Sequence, residues 1–452
     1  MDEKTTTKQL LKAAYDFHLA PEPVCLERNT NLVVTHEGKE HSLSANVLLE
    51  LLPKPTVLIE VKVDFQNPLS SLVPGSSLQL KINNTEIDSF ISKVSYPDGY
   101  PKLAFQSKSL PIHLFTSGGD KSCRTTERTL FHLFNFPSFT GKDFEIHKSQ
   151  NLLVQLNFID LTYNKWRTKI QELDTSREAF KAIRETGGTY LTHVAETTKL
   201  NNEAYSHEEL QEHFSLLSTF LSFVRGVTFW PTCSIGFGED NSEVWKEWNY
   251  PSQSTKPPCS WFSSHHPEQL EQLFPLFSEL WDTSSSWQDT LRTAIYWYVQ
   301  ASQGGVGLGM DTSIILVQTA LERLSYEYLV LHKQSISEKG FNDLIASDKL
   351  RLFFSALDIP LSIPAQASQI LSASKHLNWM DAPHALTVIR NSLIHPKTKH
   401  KEKIESCYVD CWKIALWYFE LSILALCGYR GTYASRLTAK MVGDIEDVPW
   451  RR

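Results

Sequence analysis

The sequence predicts an α+β chain, with an N-terminal β-rich region of sandwich or barrel form followed by a C-terminal up-down bundle of helices. Three observations carry this expectation. From about Asn31 to Asp160, β-branched and aromatic residues recur near period two; after Trp166 the spacing lengthens; from Trp287 onward, helical spacing runs almost without a break.

The elements follow in order. Residues 1–30 read as an N-terminal helical or extended segment, and 31–175 as the β-rich domain. Within that domain LVVTHEGKEHSL, VLIEVKVDF, SLQLKINNTEIDSFISKV and LLVQLNFIDLTY read as strands, broken by turn chemistry at Asn83-Asn84 and Pro97-Asp98-Gly99. Residues 176–285 continue as mixed α/β. SREAFKAIRETGG is a helix with Ser176 as N-cap and Gly187 as its stop, and TYLTHVAETTKL is a strand. SHEELQEHFSLLSTFLSFVRG is a helix opened by a Ser206/Glu209 capping box. Val227 to Pro275, rich in Trp, Gly, Pro and Ser, reads as final strands plus a loop-rich connection that ends near Ser284-Ser285-Ser286. That serine run marks the expected domain boundary.

Residues 286–440 are then helical, and 441–452 form a tail. Trp287–Ser302 is one helix and Gly304–Gly309 a loop, after which Asp311 caps a long helix. Its seam is Ile314, Val317, Leu321, Leu324, Tyr328 and Leu331. Shorter helices follow at Ser347–Leu357 and Ala365–His376, and two strong ones at Asp381–His395 and Tyr408–Cys427.

Composition narrows the function. A formal net charge of −7 argues against a protein that coats nucleic acid through bulk charge, so any RNA contact must be local. Seven scattered cysteines without CxxC pairs read as reduced thiols of a cytoplasmic protein, and no zinc-type spacing or other cofactor motif stands out. No secretory signal is expected at the N-terminus. The apolar run Ile414–Leu426 contains Glu420 and is too short to span a membrane, so no membrane partner is expected.

The constellation that points to chemistry is Arg390-Asn391-Ser392-Leu393-Ile394-His395. On a continuous helix, residues five apart diverge by roughly 140°. Pro396 disfavours αR at His395, so the helix should stop there and free the ring, while Arg390 is long enough to approach the same end. Such an imidazole can move a proton, and a guanidinium can stabilise charge growing on a phosphate. Lys397, Lys399, His400, Lys401 and Lys403 supply a local basic run for RNA phosphates. Asn391 is placed to hydrogen-bond phosphate or to fix the histidine tautomer.

RNSLIH resembles the R-[polar]-x(3)-H form of the R-x(4–6)-H motif of HEPN domains, and it precedes the last long helix as in that family. QTALERLSYEYL resembles the "ALE" helix of Apea-like HEPN domains, and WYFELSILALCGYRGTYASRL their closing helix. The resemblance covers about Trp287–Leu437, and the long N-terminal region, with FLSFVRG and the Trp245/Trp248 pair, is similar to those of bacterial HEPN defence and toxin-type proteins. It implies a cytoplasmic homodimeric endoribonuclease that needs no metal, a toxin or anti-phage role, and an N-terminal region that senses an unknown trigger or partner. Arg390 and His395 would be catalytic, Asn391 auxiliary, and Glu322 would hold Arg390.

Competing readings stay open. Arg390 and His395 serve equally well as a bundle tie through Glu322 and a helix C-cap, which would make the bundle a non-catalytic dimerisation, RNA- or ligand-binding module beside a β-rich recognition domain. Exposed tryptophans within 229–261 would instead favour a carbohydrate- or peptide-binding sandwich. His265-His266-Pro267-Glu268 lacks a ligand partner and reads as a surface loop. The aromatic stripe of Tyr296, Trp297, Tyr298, Trp412, Trp417, Tyr418 and Phe419 reads as core or dimer surface.

Overall fold

Alternation and turn chemistry dominate the first half of the chain. In the computed structural model, β1 (Val24–His36), β2 (Lys39–Glu50), β3 (Thr56–Lys62), β4 (Ser77–Ile82), β5 (Thr85–Ser95) and β6 (Lys102–Ser107) close a barrel in the order β1-β2-β3-β6-β5-β4. The structure describes residues 10–17, 22–52, 54–115, 125–140, 144–149, 152–251, 259–304, 309–395, 401–438, 441 and 443–451, with 144–149, 152–156 and 401 as backbone alone. Asn83 and Asn84 both take positive φ (46° and 67°), the backbone that a two-residue hairpin between β4 and β5 demands. Glu37 and Gly38 do the same at 50° and 73°, so LVVTHEGKEHSL is two strands of a hairpin. Inward residues such as Leu32, Val47, Ile59, Ile82, Ile91 and Phe105 are fully buried.

The strands that follow form an eight-stranded antiparallel sheet. They are β7 (Ile112–Phe115), β8 (Arg128–Phe134), β9 (Phe144–Ser149), β10 (Leu152–Tyr163), β11 (Trp166–Glu172), β12 (Leu191–Lys199), β13 (Thr232–Phe237) and β14 (Glu243–Trp248), ordered β7-β14-β13-β8-β12-β11-β10-β9. Between β11 and β12 lies α1 (Ser176–Thr186); its N-cap is Thr175, one residue before the expected Ser176, and Gly187 ends it at φ 68°. The helix α2 (His207–Arg225) opens with the expected capping box, Glu209 N–H donating to Ser206 Oγ (3.2 Å) and Ser206 N–H to Glu209 Oε2 (3.0 Å). One sheet face meets the start of α2, where Trp166 stacks on His213 at 4.7 Å.

Two compact units result. The strand unit comprises Met1–Ser138, Lys142–Phe214 and Trp230–Lys256; the helical unit comprises Phe139–Gly141, Ser215–Phe229 and Pro257–Arg452. The helical unit contains α3 (Glu268–Asp282), α4 (Ser285–Ser302), α5 (Met310–Tyr326), α6 (Glu338–Asp343), α7 (Ala346–Ala356), α8 (Ser368–Leu377), α9 (Ala382–Ile394), α10 (Lys401–Glu405), α11 (Tyr408–Leu426) and the short pair β15 (Thr432–Tyr433) and β16 (Glu446–Asp447). The expected boundary serine Ser284 is the N-cap of α4, accepting from Trp287 N–H, and α3 ahead of it already belongs to the helical unit. α3 stands where a loop-rich connection was expected. Its Leu270, Leu273, Phe274, Phe277 and Trp281 are buried at helical spacing despite the internal Pro275.

In α5 the expected seam holds for Ile314, Val317, Leu321 and Leu324, all buried. A π-turn over Glu327–His332 then closes the helix, with Lys333 N–H bonded to Tyr328 C=O at i→i+5 (2.8 Å). On this wider turn Leu329 and Val330 are buried and Leu331 is 46% exposed, reversing its expected place in the seam. The N-cap of α5 is Gly309 at φ 83°, with Asp311 in the first turn in place of the expected cap. Deep in this unit Glu420, fully buried, accepts from Tyr298 Oη (2.6 Å) and from Arg436 Nε (2.9 Å). Burial alone would lower the Arg436 guanidinium, but Glu420 more than reverses this and holds it above its ordinary range. Of the aromatic stripe, Tyr298, Trp417, Tyr418 and Phe419 are core, while Tyr296 is exposed. Among the described residues no helix is long and apolar enough to cross a membrane.

Candidate active site at the end of α9

α9 is pinned at its start. Asp381 caps it by accepting from His384 N–H (2.9 Å), and the same carboxylate takes Arg351 Nε (2.7 Å) and Nη2 (3.1 Å) from α7. Ala382, Leu386 and Ile389 face the core, and Leu393 is half-buried. This apolar stripe fixes the rotation of α9 and so decides where its polar residues emerge.

The helix ends where Pro396 requires. His395 is its C-cap at φ −116°, ψ 88°, its N–H bonded to Asn391 C=O (2.8 Å), and its side chain is exposed. Arg390 is half-buried; its Nη1 donates to Asn391 Oδ1 (3.3 Å), while its Nε is buried without a hydrogen-bond partner among the described residues. The structure thus joins the Arg390 side chain to that of Asn391, but among the described residues no hydrogen bond or ion pair joins either side chain to the His395 imidazole.

Glu322 departs from expectation. Its Oε1 accepts from Gln318 Nε2 one turn earlier on α5 (3.3 Å), and among the described residues it makes no ion pair with Arg390. A same-helix amide occupies the carboxylate, while Arg390 turns to its own neighbour. Of the basic run, Lys403 is exposed on α10; Lys397, Lys399 and His400 lie outside the described residues, and Lys401 is described by its backbone alone.

Two side chains at this end were not foreseen. Ser392 Oγ donates to Ile389 C=O (2.6 Å), and Tyr408, the first residue of α11, lies beside it. Partial burial raises the Tyr408 phenol above its ordinary range; the Ser392 hydroxyl acts against this, and Glu405 and Asp311 reinforce it. The available signal was positional, since an antiparallel return places the start of the closing helix beside the end of the preceding one.

The other candidates resolve differently. His266 pairs with Glu268 (Nδ1 to Oε1, 3.2 Å) and lies 3.1 Å from Gly443 C=O, and no group of three His, Cys, Asp or Glu among the described residues could hold a metal. Of the four tryptophans within 229–261, Trp245, Trp248 and Trp261 are buried and only Trp230 is exposed, so the coplanar exposed platform that would favour a carbohydrate site is absent among the described residues.

The YopA central domain family matches residues 121–258, and the YopA C-terminal domain family matches residues 284–447, which include the whole Arg390–His395 segment. The chain is also similar to the SPbeta prophage-derived uncharacterized protein YopA of Bacillus subtilis (strain 168), at 29% identity over 301 residues. That match covers 64% of this chain and 65% of the relative, just under two thirds of the relative's length. No solved structure matches. The HEPN resemblance therefore rests on the residues themselves.

Proposed function

We propose that the helical unit is a HEPN-type endoribonuclease module whose working groups are Arg390, Asn391 and His395. The observation that supports this reading most is the end of α9, where an exposed imidazole stands at a helix stop five residues from a half-buried guanidinium whose Nε has no hydrogen-bond partner among the described residues. His395 would take the proton from a ribose 2′-hydroxyl. The O2′–P bond then forms, the P–O5′ bond breaks, and the leaving 5′-oxygen takes a proton from a second imidazole or water. Arg390 would stabilise the charge on the phosphoryl oxygens, aided by Asn391. The chemistry uses the substrate's own hydroxyl and draws on no cofactor.

Lys397, Lys399, Lys401 and Lys403 would bind flanking RNA phosphates. A homodimer would bring two Arg/His motifs to one cleft, and the cytoplasm is the proposed place of action. The HEPN resemblance also motivates a toxin or anti-phage role, with the strand unit as the sensor.

A second reading has one observation in its favour: the Arg390 guanidinium bonds Asn391 and not His395, as in a module that holds RNA or a second copy without cutting. One experiment separates them. Purified protein incubated with RNA in EDTA should yield 2′,3′-cyclic phosphate ends, and His395→Ala should yield none. RNA retention without cleavage by the wild type would favour the binding module, and equal cleavage by both proteins would remove His395 from the chemistry.

A further inference from the structure

The strand unit contains a groove filled by the chain's own N-terminal segment. Residues 10–17, Leu-Leu-Lys-Ala-Ala-Tyr-Asp-Phe, run outside every strand of the sheet, yet two buried polar side chains hold their backbone. Gln171 of β11, 1% exposed, treats Leu11 as a neighbouring strand would: Leu11 N–H donates to Gln171 Oε1 (3.2 Å) and Gln171 Nε2 donates to Leu11 C=O (3.2 Å). His132 of β8, fully buried, accepts from Ala14 N–H through Nε2 (3.0 Å). Its Nδ1 lies 3.1 and 3.2 Å from the carbonyls of Thr232 and Cys233, acceptors only, so Nδ1 carries the proton and Nε2 presents the lone pair.

Side chains add a second layer. Phe17 packs on His132 and Phe134 with ring centroids at 4.9 and 5.5 Å, and Tyr15 on His132 at 5.7 Å. Leu11, Ala13, Tyr15 and Phe17 are only partly buried against the core of the unit. The fit is loose at the flanks. A cavity of about 470 Å³ borders the segment beside Leu51, Leu173 and Tyr190, and another of about 850 Å³ beside Arg128, Leu130 and Phe237.

We infer that this groove is a peptide-binding site, occupied in cis by residues 10–17, that takes from a partner a peptide with two aromatic side chains two residues apart, bent as this segment is at Ala14-Tyr15, where Phe17 N–H bonds Tyr15 C=O (3.0 Å). The seated segment shows what fits. Backbone hydrogen bonds from fixed side chains supply sequence-independent affinity, and the aromatic pair supplies specificity, the division of labour found in strand-addition recognition. Partial burial and flanking cavities make the segment exchangeable, unlike the sheet beneath it. This inference is independent of the RNA chemistry proposed for the helical unit.

The test uses the full chain. In Tyr15→Ala/Phe17→Ala the groove is intact but its own occupant is weakened, so a fluorescent peptide of residues 10–17 should bind it at least about tenfold more tightly than it binds the wild type, where the tethered segment competes. Adding His132→Leu should abolish that binding. No binding to a double variant that still melts cooperatively would overturn the inference, as would binding accompanied by a doubling of mass, which would make the site a swap between two copies. Should the double variant fail to fold, hydrogen exchange on the wild type decides. The Leu11 and Ala14 amides should exchange by local opening, at least about tenfold faster than the amides of β8 and β11; exchange at the same rate as those strands would make the segment integral and refute the proposal.

Discussion

In the strand unit His132 and His213 are buried side chains held by backbone carbonyls or a threonine hydroxyl, and buried His193 lies between the Thr192 hydroxyl and the Glu172 carboxylate, whereas in the helical unit His395 stands exposed at a helix end with no such partner among the described residues. Burial pushes His132 down to about 4 and His213 down to about 3, so both are neutral hydrogen-bonding fixtures at neutral pH. The same residue type is architecture in one unit and a candidate reagent in the other. The difference lies in desolvation and partner supply, which motif spacing does not encode.

Four tests, the first a pair of histidine substitutions, would break or sharpen that contrast. The largest effect is expected from His395→Ala, which should lower RNA cleavage by roughly 10²–10⁴-fold while moving stability by less than about 0.5 kcal/mol. His132→Ala should do the reverse, lowering the unfolding midpoint and leaving activity per folded molecule unchanged; cleavage assays paired with thermal melts test both. Next comes Glu420→Ala, which strands Arg436 in the helical core and should cost about 3–5 kcal/mol, read from the denaturant midpoint of that unit.

The third concerns pH. For His132 the folded pKa of about 4 lies below the ordinary 6.5, so the unfolded chain binds more protons between those values. Its stability contribution is complete above pH 6.5 and lost as pH falls through about 4, a change of about 3 kcal/mol. His213 acts in the same direction. Glu247, lifted by burial from 4.5 to about 7, works the other way: its contribution is present below 4.5 and disappears as pH rises through 7. Urea midpoints of the strand unit should therefore fall between pH 6.5 and 4, and fall more steeply in Glu247→Gln; a flat profile would contradict the buried-neutral reading. The smallest effect is Ser206→Ala, which removes one half of the α2 capping box and should cost about 1 kcal/mol, visible as faster hydrogen exchange in the first turn.

Much of the fold was legible because its signals are local. Alternation with Asn83-Asn84 gave the barrel hairpin, Ser206 with Glu209 gave the start of α2, and Pro396 gave the end of α9. What stayed hidden depended on tertiary context. α3 was masked by Pro275 and by the loop-like composition before it, although its apolar residues keep helical spacing. The Glu322–Arg390 tie rests on family position alone, and among the described residues Glu322 is bonded through Oε1 to Gln318 and makes no ion pair with Arg390. Tyr408 and Ser392 meet only because the chain returns antiparallel, and the seat of residues 10–17 relies on Gln171 and His132, which lie more than a hundred residues away.

The π-turn of Glu327–His332 has a wider consequence. It is the last turn of this helix, wider than the α-turns before it, and the chain leaves the helix at Lys333 and Gln334, the latter at φ 51°. The widened turn therefore decides which side chains the helix ends on: Leu329 and Val330 are buried and Leu331 is left exposed, so a substitution that restored α pitch there would change the set that this helix end buries.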